Sequence, residues 1–525
     1  MSEMEWRPRH NPWAVALTVT LATFMEVLDS SIANVALPHI AGNLSASQDE
    51  SAWVLTSYLV SNAIILPISA WLATRFGRKR FYMTCVAMFG ASSFLCGLAP
   101  NLGMLVFFRI LQGFGGGGLA PSEQAILADT FPREKRGMAF AVYGMAVVVA
   151  PAIGPTLGGW ITDNSSWRWI FYINVPFVIL SLFLSSRLVE DPPYLSRERE
   201  RSRGVRVDYV GLGLIALGVG TLQFVLDKGQ EDDWFSSPLI VTFLAMAIVA
   251  LATWIYWELH HKDPIVDLHL FKLRNFTMAM SFTFVLGMVL YGTTFVIPQF
   301  LQVLLGYPAV KAGEALAGGG IVMMLMMPIS GMLVSRVDPR GMMAFGFLST
   351  AAALYFMMTH MTLGMDFFTA ALLRTLQAAG LAFIFLPSNT LAYLGVPREK
   401  NNQVSAINAF IRNIGGGIGI SMIGTFLTRR EQVHQTYLAA QTATGNPVFE
   451  QMVAGMSAVL HQAGLAPNVA TQQAQARVYF MMQAHATTLA YVDVLSVMTL
   501  AIAALAPFVL LMKRSAVMPA DMAGH

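Results

Sequence analysis

Apolar residues run in long, almost uncharged stretches along this chain, and charged residues gather in short clusters between them. A helix that crosses a bilayer needs ~20 mostly apolar residues, because hydrocarbon offers backbone N–H and C=O groups no water partner. Fourteen stretches reach that length: Trp13–Leu37, Trp53–Thr74, Phe81–Leu98, Leu102–Ala128, Met138–Trp160, Trp169–Ser186, Tyr209–Leu226, Pro238–Trp257, Phe276–Phe300, Ala312–Val334, Met342–His360, Phe367–Leu394, Val404–Thr428 and Thr487–Leu511. The first is too long, and too poor in a small-residue cleavage site, to read as a removable signal. The pattern predicts an all-α polytopic membrane protein with nothing left over for a soluble catalytic domain.

Composition agrees: 55% of the 525 residues are hydrophobic and 12% charged, with mean hydropathy +0.57, where a soluble domain carries about a quarter charged residues. Charge then sets orientation. The side holding the N-terminus collects Arg75, Arg78, Lys79, Arg80, Arg133, Lys135, Arg136, Arg187, the run from Arg197 to Arg206, Arg336, Arg340, Arg398 and Lys400. The other side holds Arg168, Lys228, Lys311, Arg429, Arg430 and Arg477. Basic loops stay in the cytoplasm, so both termini are expected there. The net charge of +3 is a topology signal and predicts no nucleic-acid partner. Cys85 and Cys96 share the third span and read as small packing residues.

The chain also repeats itself. Pro67-Ile68-Ser69 with Leu72 and Arg75 in span two returns as Pro328-Ile329-Ser330 with Leu333 and Arg336 in span ten. Arg109-x-x-Gln112 in span four returns as Arg374-x-x-Gln377 in span twelve, and Pro132-Arg133-Glu134-Lys135 returns as Pro397-Arg398-Glu399-Lys400. Every match maps a span onto the one eight further on, in unchanged orientation, which is a parallel repeat of six-helix halves with a pair inserted between them. The expected organisation is a cytoplasmic segment 1–12, a six-helix half 13–189, a linker 190–208, an inserted hairpin 209–257, a linker 258–275, a second six-helix half 276–512 and a cytoplasmic tail 513–525. The first linker suits a helix lying on the membrane surface. The outward-facing polar stretch 429–485 stays open between amphipathic helical pieces and a plain loop.

Four motifs then become specific: Leu28 to Pro38 in span one (LDSSIANVALP), Arg109-Ile110-Leu111-Gln112-Gly113, Gly154-Pro155-Thr156-Leu157-Gly158-Gly159, and Trp167 to Pro176 (WRWIFYINVP). With Leu226-Asp227-Lys228-Gly229 and Pro298 to Gln302, they resemble the fourteen-span drug:proton antiporter family of the major facilitator superfamily over nearly the whole chain. Ala41-Gly42, Asp163-Asn164 and the long stretch after span thirteen look most like its EmrB type. That resemblance implies a major facilitator fold in a bacterial inner membrane, a periplasmic adaptor protein and an outer-membrane channel as partners, and no cofactor beyond the proton as coupling ion. In the loop after span two the wider superfamily places an acid among Arg75, Gly77 and Arg78; this chain has Thr74, which puts the usual gate ion pair in doubt.

Proton coupling needs a carboxylate in a low-dielectric, intermittently wet place. Span one offers Glu26 and Asp29, three residues apart and so on one helix face. At ~1.5 Å per residue, Asp29 lies about 12 Å from the outer end of its span and Arg109 about 10 Å down span four, so the two are expected to meet. The alternative is a permanent pair that only fixes helix register. Glu26 is a candidate for meeting cargo, and Glu123, near the inner end of span four, for receiving protons or guarding the entrance; both also read as plain buried or boundary acids. Asn34, Gln112, Gln124, Asn408 and Arg412 are further cavity candidates, with Asp493 as a candidate partner of Arg412. Arg374 reads as structural, since span nine has no acid to match Asp29. Gly144, Pro151, Gly154, Pro155, Gly158 and Gly159 bend span five and let helices approach closely; in the resembled family this motif marks antiporters. Met323, Met324, Met326 and Met327 can give an adaptable wall, although they cover several helix faces. Gly113-x-Gly115-x-x-Gly118 matches a dinucleotide fingerprint only formally, since no strand precedes it.

The reading is an exporter of amphipathic small molecules, in contact with membrane lipid, driven by inward proton flow. The alternatives are an exporter of one metabolite or siderophore, or a membrane enzyme or lipid-handling protein. No metal cluster, positioned nucleophile or phosphate loop supports an enzyme or an ATP-driven pump.

Overall fold

The computed structural model describes residues 8–132, 135–203, 207–334, 336–441 and 446–512. Arg7, Arg133 and Glu134 of the repeated tetrapeptide, residues 204–206 of the first linker, and the tail 513–525 lie outside them. Among the described residues the chain is helical throughout, and helices begin where the sequence offers caps. Helix α1 (Pro12–Asn43) starts with Asn11 accepting from Trp13 N at 2.9 Å. A reciprocal Ser47–Glu50 capping box opens α2 (Gln48–Phe76) and satisfies amides that have no partner inside the helix. The first half continues through α3 (Arg78–Leu98), α4 (Leu102–Gly116), α5 (Leu119–Thr130), α6 (Arg136–Asn164), α7 (Trp169–Tyr172) and α8 (Asn174–Leu188). A break at Gly117–Gly118 divides one span into α4 and α5, and α7 with α8 forms another. Helix α6 bends by 41° around Pro151, as expected where proline removes an N–H and crowds the preceding turn.

The linker contains α9 (Pro193–Arg203), and α10 (Tyr209–Lys228) with α11 (Pro238–His260) forms the inserted hairpin. The second half comprises α12 (Arg274–Gln299), α13 (Ala309–Val334), α14 (Pro339–His360), α15 (Phe367–Ala392), α16 (Asn401–Gln441), α17 (Pro447–Gln462) and α18 (Pro467–Leu505). Among the described residues, thirteen helices are long and apolar enough to span a membrane, and the bent α6 makes fourteen.

The halves meet along two seams, α6 against α13 and α2 against α16, and α10 packs on both helices of the second seam. Trp234 in the hairpin's turn donates to Thr425 of α16 at 2.8 Å, and Thr56 of α2 hydrogen-bonds Asp227. In the polar stretch 429–485 the described residues are mostly helical, and residues 442–445 lie outside them. Helix α16 has 41 residues and α18 has 39, about 60 Å each, twice the ~30 Å of a bilayer core. Both therefore project beyond the bundle, with α17 packed on α18 through Val453, Leu460, Ala470, Ala474 and Val478. Arg430 Nε and His434 Nε2 lie 2.6 and 2.7 Å from Asp493, tying the bases of the two long helices together.

Candidate functional site

Asp29 is 2% exposed and Arg109 0%. Arg109 Nη1 reaches Asp29 Oδ2 at 2.6 Å, while Gln112 Nε2 (3.0 Å) and Asn174 Nδ2 (2.6 Å) donate to Oδ1. The guanidinium also donates to Val54 O and to Gln112 Oε1, and its carbon sits 4.3 Å above the Tyr58 ring. An ion pair can stay inside low-dielectric protein only when such donors satisfy the remaining lone pairs. This cluster is enclosed within the first half, between α1, α2, α4 and α8.

Glu26 looks elsewhere, which corrects the expectation that the two acids share one face. At ~3.6 residues per turn, side chains three apart are offset by roughly a sixth of a turn, and here that offset separates two chambers. Glu26 Oε1 accepts from Asn62 Nδ2 at 3.0 Å and from Tyr58 OH at 3.4 Å. With Thr23, Tyr143, Tyr291, Arg412 and Asn413 it lines a cavity of about 50 Å³ between the halves. Glu26, Ser30, Asn34 and Pro38 form a four-residue stripe along α1; the first two are half-buried, and Asn34 and Pro38 are exposed. Asn34 is not among the residues that line the cavity with Glu26. Tyr58 joins the chambers, its hydroxyl on Glu26 and its ring under Arg109.

Beneath the cavity the halves are stitched together. Asn408 of α16 donates to Gln124 Oε1 (2.8 Å) on one side and to Asn389 Oδ1 (2.6 Å) on the other, and Gln124 donates to Tyr143 OH at 3.1 Å. Arg412 hydrogen-bonds Tyr143, and its Nη1 has no partner. Its proposed partner Asp493 pairs instead with Arg430 and His434. Glu123 is no boundary residue: it is fully buried and accepts from Thr20 at 2.5 Å.

At the basic face a second buried ion pair, Arg78–Asp129, stands close to Thr74, where the usual acid is missing. Arg78 Nε donates to Asn402 Oδ1 at 2.7 Å, Asn401 Nδ2 donates to Asp129 Oδ1 at 2.6 Å, and Tyr194 of the linker helix bonds both partners of the pair. Thr74 itself accepts from Asn402 at 3.3 Å. Gly77, at φ +92°, turns the chain between α2 and α3 in a conformation that side chains resist. Arg75 is half-buried beside this turn.

The span-five glycines work by contact. A Cβ on Gly154 would fall 2.3 Å from Ser31 Oγ, and one on Gly144 2.8 Å from Met327 Cε. Gly158 abuts Ile32, Gly159 faces Val310, and Pro151 O accepts from Ser31. Pro155 sits beyond the bend, near Gly313 of α13. Met323 and Met327 are buried while Met324 is exposed, so the methionines form no single wall. Arg374 donates to Thr293, Thr294 and Gln377. Sequence reasoning misses Tyr58, Asn62, Tyr143 and Asn174 as site residues; Tyr58 and Asn62, four residues apart in span two, were the available signal.

A two-half helical bundle with buried ion pairs and a polar cavity at the seam defines a multi-pass membrane transporter rather than an enzyme. A family model described as Major Facilitator Superfamily matches residues 19–420. Multidrug export protein EmrB of Escherichia coli (strain K12) is 40% identical over 439 residues, covering 83% of this chain and 84% of that protein. Fatty acid resistance protein FarB of Neisseria gonorrhoeae is 40% identical over 446 residues, covering 84% and 86%. A crystal structure of a double-Trp mutant of XylE superposes with a TM-score of 0.61 at 13% identity, over 96% of each chain, which speaks for the fold alone. The chain belongs to the major facilitator superfamily and, within it, to the EmrB type.

Proposed function

We propose that the chain exports hydrophobic or amphipathic compounds in exchange for protons, by alternating access, as the inner-membrane member of a tripartite system with a periplasmic adaptor and an outer-membrane channel. Its relatives named for multidrug export and fatty acid resistance support the cargo class. The basic residues gathered on one face support cytoplasmic termini. One observation carries the exchange reading: a carboxylate, Glu26, stands in the seam between the halves and shares Tyr58 with the buried Asp29–Arg109 pair. A proton and a cargo group then compete for the same polar wall, and Tyr58 transmits the charge state of one chamber to the other.

The cavity of about 50 Å³ is far below the ~300–1,000 Å³ of a drug-sized site. Loading therefore requires the halves to part, breaking Asn408–Gln124 and Arg412–Tyr143. Reconstituted vesicles with an imposed pH gradient test this: cargo efflux should rise with the gradient, release or take up protons in step, and collapse in Glu26→Gln. Efflux indifferent to the gradient would sink the exchange reading.

A further inference from the structure

Several polar groups of the first half are left over by this mechanism, and they are not scattered. Thr23 Oγ1, Glu123 Oε2, Ser181 Oγ and Ser185 Oγ are buried with no well-aligned hydrogen bond, although Thr23 comes within reach of Glu123, and Ser181 and Ser185 within reach of the Tyr82 hydroxyl; Glu123, Ser181 and Ser185 are each 0% exposed. They lie close together around Glu123 and Tyr82. Glu123 holds Thr20 and has Thr23 beside it. Tyr82 of α3, fully buried, donates to Val19 O at 3.2 Å; Ser181 and Ser185 of α8 lie next to its hydroxyl, with Glu123 and Cys85 near. A buried polar atom without a partner costs about 1–3 kcal/mol. Native interiors relieve that cost with ordered water joining two to four such groups.

The helices give the cluster a direction. Ser185 lies one turn from the end of α8, and the next residue, Ser186, accepts from Lys79 Nζ at 2.7 Å on the basic face. Glu123 lies six residues deeper in α5 than Asp129 of the Arg78 pair, about 9 Å. At its inner end, Glu123 and Glu26 sense each other and Arg412. These groups thus lie inside one half, at depths between the central cavity and the basic face, while the seam between halves is closed by Arg78, Asp129, Asn401 and Asn402.

We infer that a hydrated column through these groups is the route by which protons pass between the central cavity and the basic face, separate from the seam through which cargo moves. The inference rests on the exchange reading above. A proton leaving the Glu26 carboxyl converts the Glu123 carboxylate to the acid. Glu123 then gives a proton to the first water, and each water or hydroxyl along Thr20, Tyr82, Ser181 and Ser185 accepts one proton and hands on another. The column ends unchanged, and one proton leaves at the basic face.

Two measurements on the full-length protein in lipid test it. Radiolytic hydroxyl-radical labelling should modify Tyr82 despite its burial, as it modifies exposed Tyr437; an unlabelled Tyr82 beside a labelled Tyr437 means a dry chamber and overturns the column whatever the coupling. In proteoliposomes, Ser181→Val with Ser185→Val should slow gradient-driven efflux and its proton flux at least ~10-fold, about 1.4 kcal/mol of barrier, while cargo counterflow at equal pH stays at the wild-type level. If the double valine misfolds, Tyr82→Phe carries the same expectation. Gradient-driven efflux at the wild-type rate in a folded variant overturns the column and leaves proton exchange standing. A wild-type protein that moves cargo without protons overturns both.

Discussion

The two halves hold the same arginine in two different ways. Arg109 and Arg374 each donate to a glutamine three residues on, at 2.8 and 2.7 Å, so the repeat extends to a hydrogen bond. The partner across the helix seam differs: Asp29 for Arg109, but the hydroxyls of Thr293 and Thr294 for Arg374. The offset that carries Arg109 onto Arg374 also carries Asp29 onto Thr294, Glu26 onto Tyr291 and Glu123 onto Ser388. Each buried carboxylate around the cavity in the first half thus has a neutral hydroxyl as its counterpart in the second. The same offset pairs Gln124 with Asn389, the two groups that Asn408 bridges. Architecture is duplicated, while the buried carboxylates at these positions are confined to one half.

Removing each arginine should expose the difference most strongly. Arg109→Met strands the Asp29 carboxylate in the interior and is expected to destabilise the protein by about 3–5 kcal/mol. Arg374→Met strands only neutral groups, the Gln377 amide oxygen and two hydroxyls, and the hydroxyls already turn back to their own helix, Thr293 to Val289 O and Thr294 to Leu290 O, both at 2.7 Å; its cost should be ~1–2 kcal/mol. Denaturant unfolding in detergent reads both. Equal losses would mean that the asymmetry of partners has no energetic content.

Transport should divide the same way. Glu26→Gln is expected to reduce gradient-driven efflux at least ~10-fold, and Tyr291→Phe less than ~3-fold, a gap of roughly 0.7 kcal/mol or more in barrier. Comparable defects would place the working group on both walls of the cavity. A transplant sharpens the point: Thr294→Asp gives Arg374 a carboxylate, and a double-mutant cycle should find a coupling of ~1–3 kcal/mol between them. Yet Thr294→Asp should not restore efflux to Asp29→Asn, because no acid in the second half corresponds to Glu26. Restoration would show that proton coupling tolerates a carboxylate in either half.

Much of this was legible in the residues. Fourteen apolar runs became the fourteen spans, because a bilayer rewards length and apolarity without regard to tertiary detail. The meeting of Asp29 and Arg109 followed from depth alone, since two helices of known direction fix the height of every residue. Azimuth was not legible. Glu26 and Asp29 part company over a fraction of a helical turn, and which neighbour fills that angle depends on packing that the chain does not write locally. The same holds for Arg412, whose partner Tyr143 lies in the other half, and for Asp129, which pairs with Arg78 close to Thr74. The stretch 429–485 was ambiguous because α17 hides its apolar face only by finding α18.

The smallest expected effect compares two ion pairs near the basic face. Arg78–Asp129 is buried and joined across the halves, whereas Lys400–Asp267, at 2.5 Å, links the second linker to the start of α16 with the Lys400 side chain 43% exposed. Partial burial pushes the Asp267 carboxyl up, but the hydrogen bond and charge of Lys400, with help from His269, outweigh it and hold the group below the ordinary carboxylate range. A carboxyl depressed on folding adds stability at pH above its unfolded value, ~3.9, and loses that contribution as pH falls through the lower folded value. Water screens an exposed partner, so the pair is worth at most about 1 kcal/mol. Asp267→Asn should therefore lower stability slightly at pH 7 and flatten the loss between roughly pH 5 and pH 3, and it should leave the Arg78–Asp129 pair and its coupling across the halves untouched. Unfolding followed from pH 7 to pH 3 in both proteins decides it: parallel curves would mean that Asp267 titrates as it does in the unfolded chain and that its pair with Lys400 adds nothing to stability.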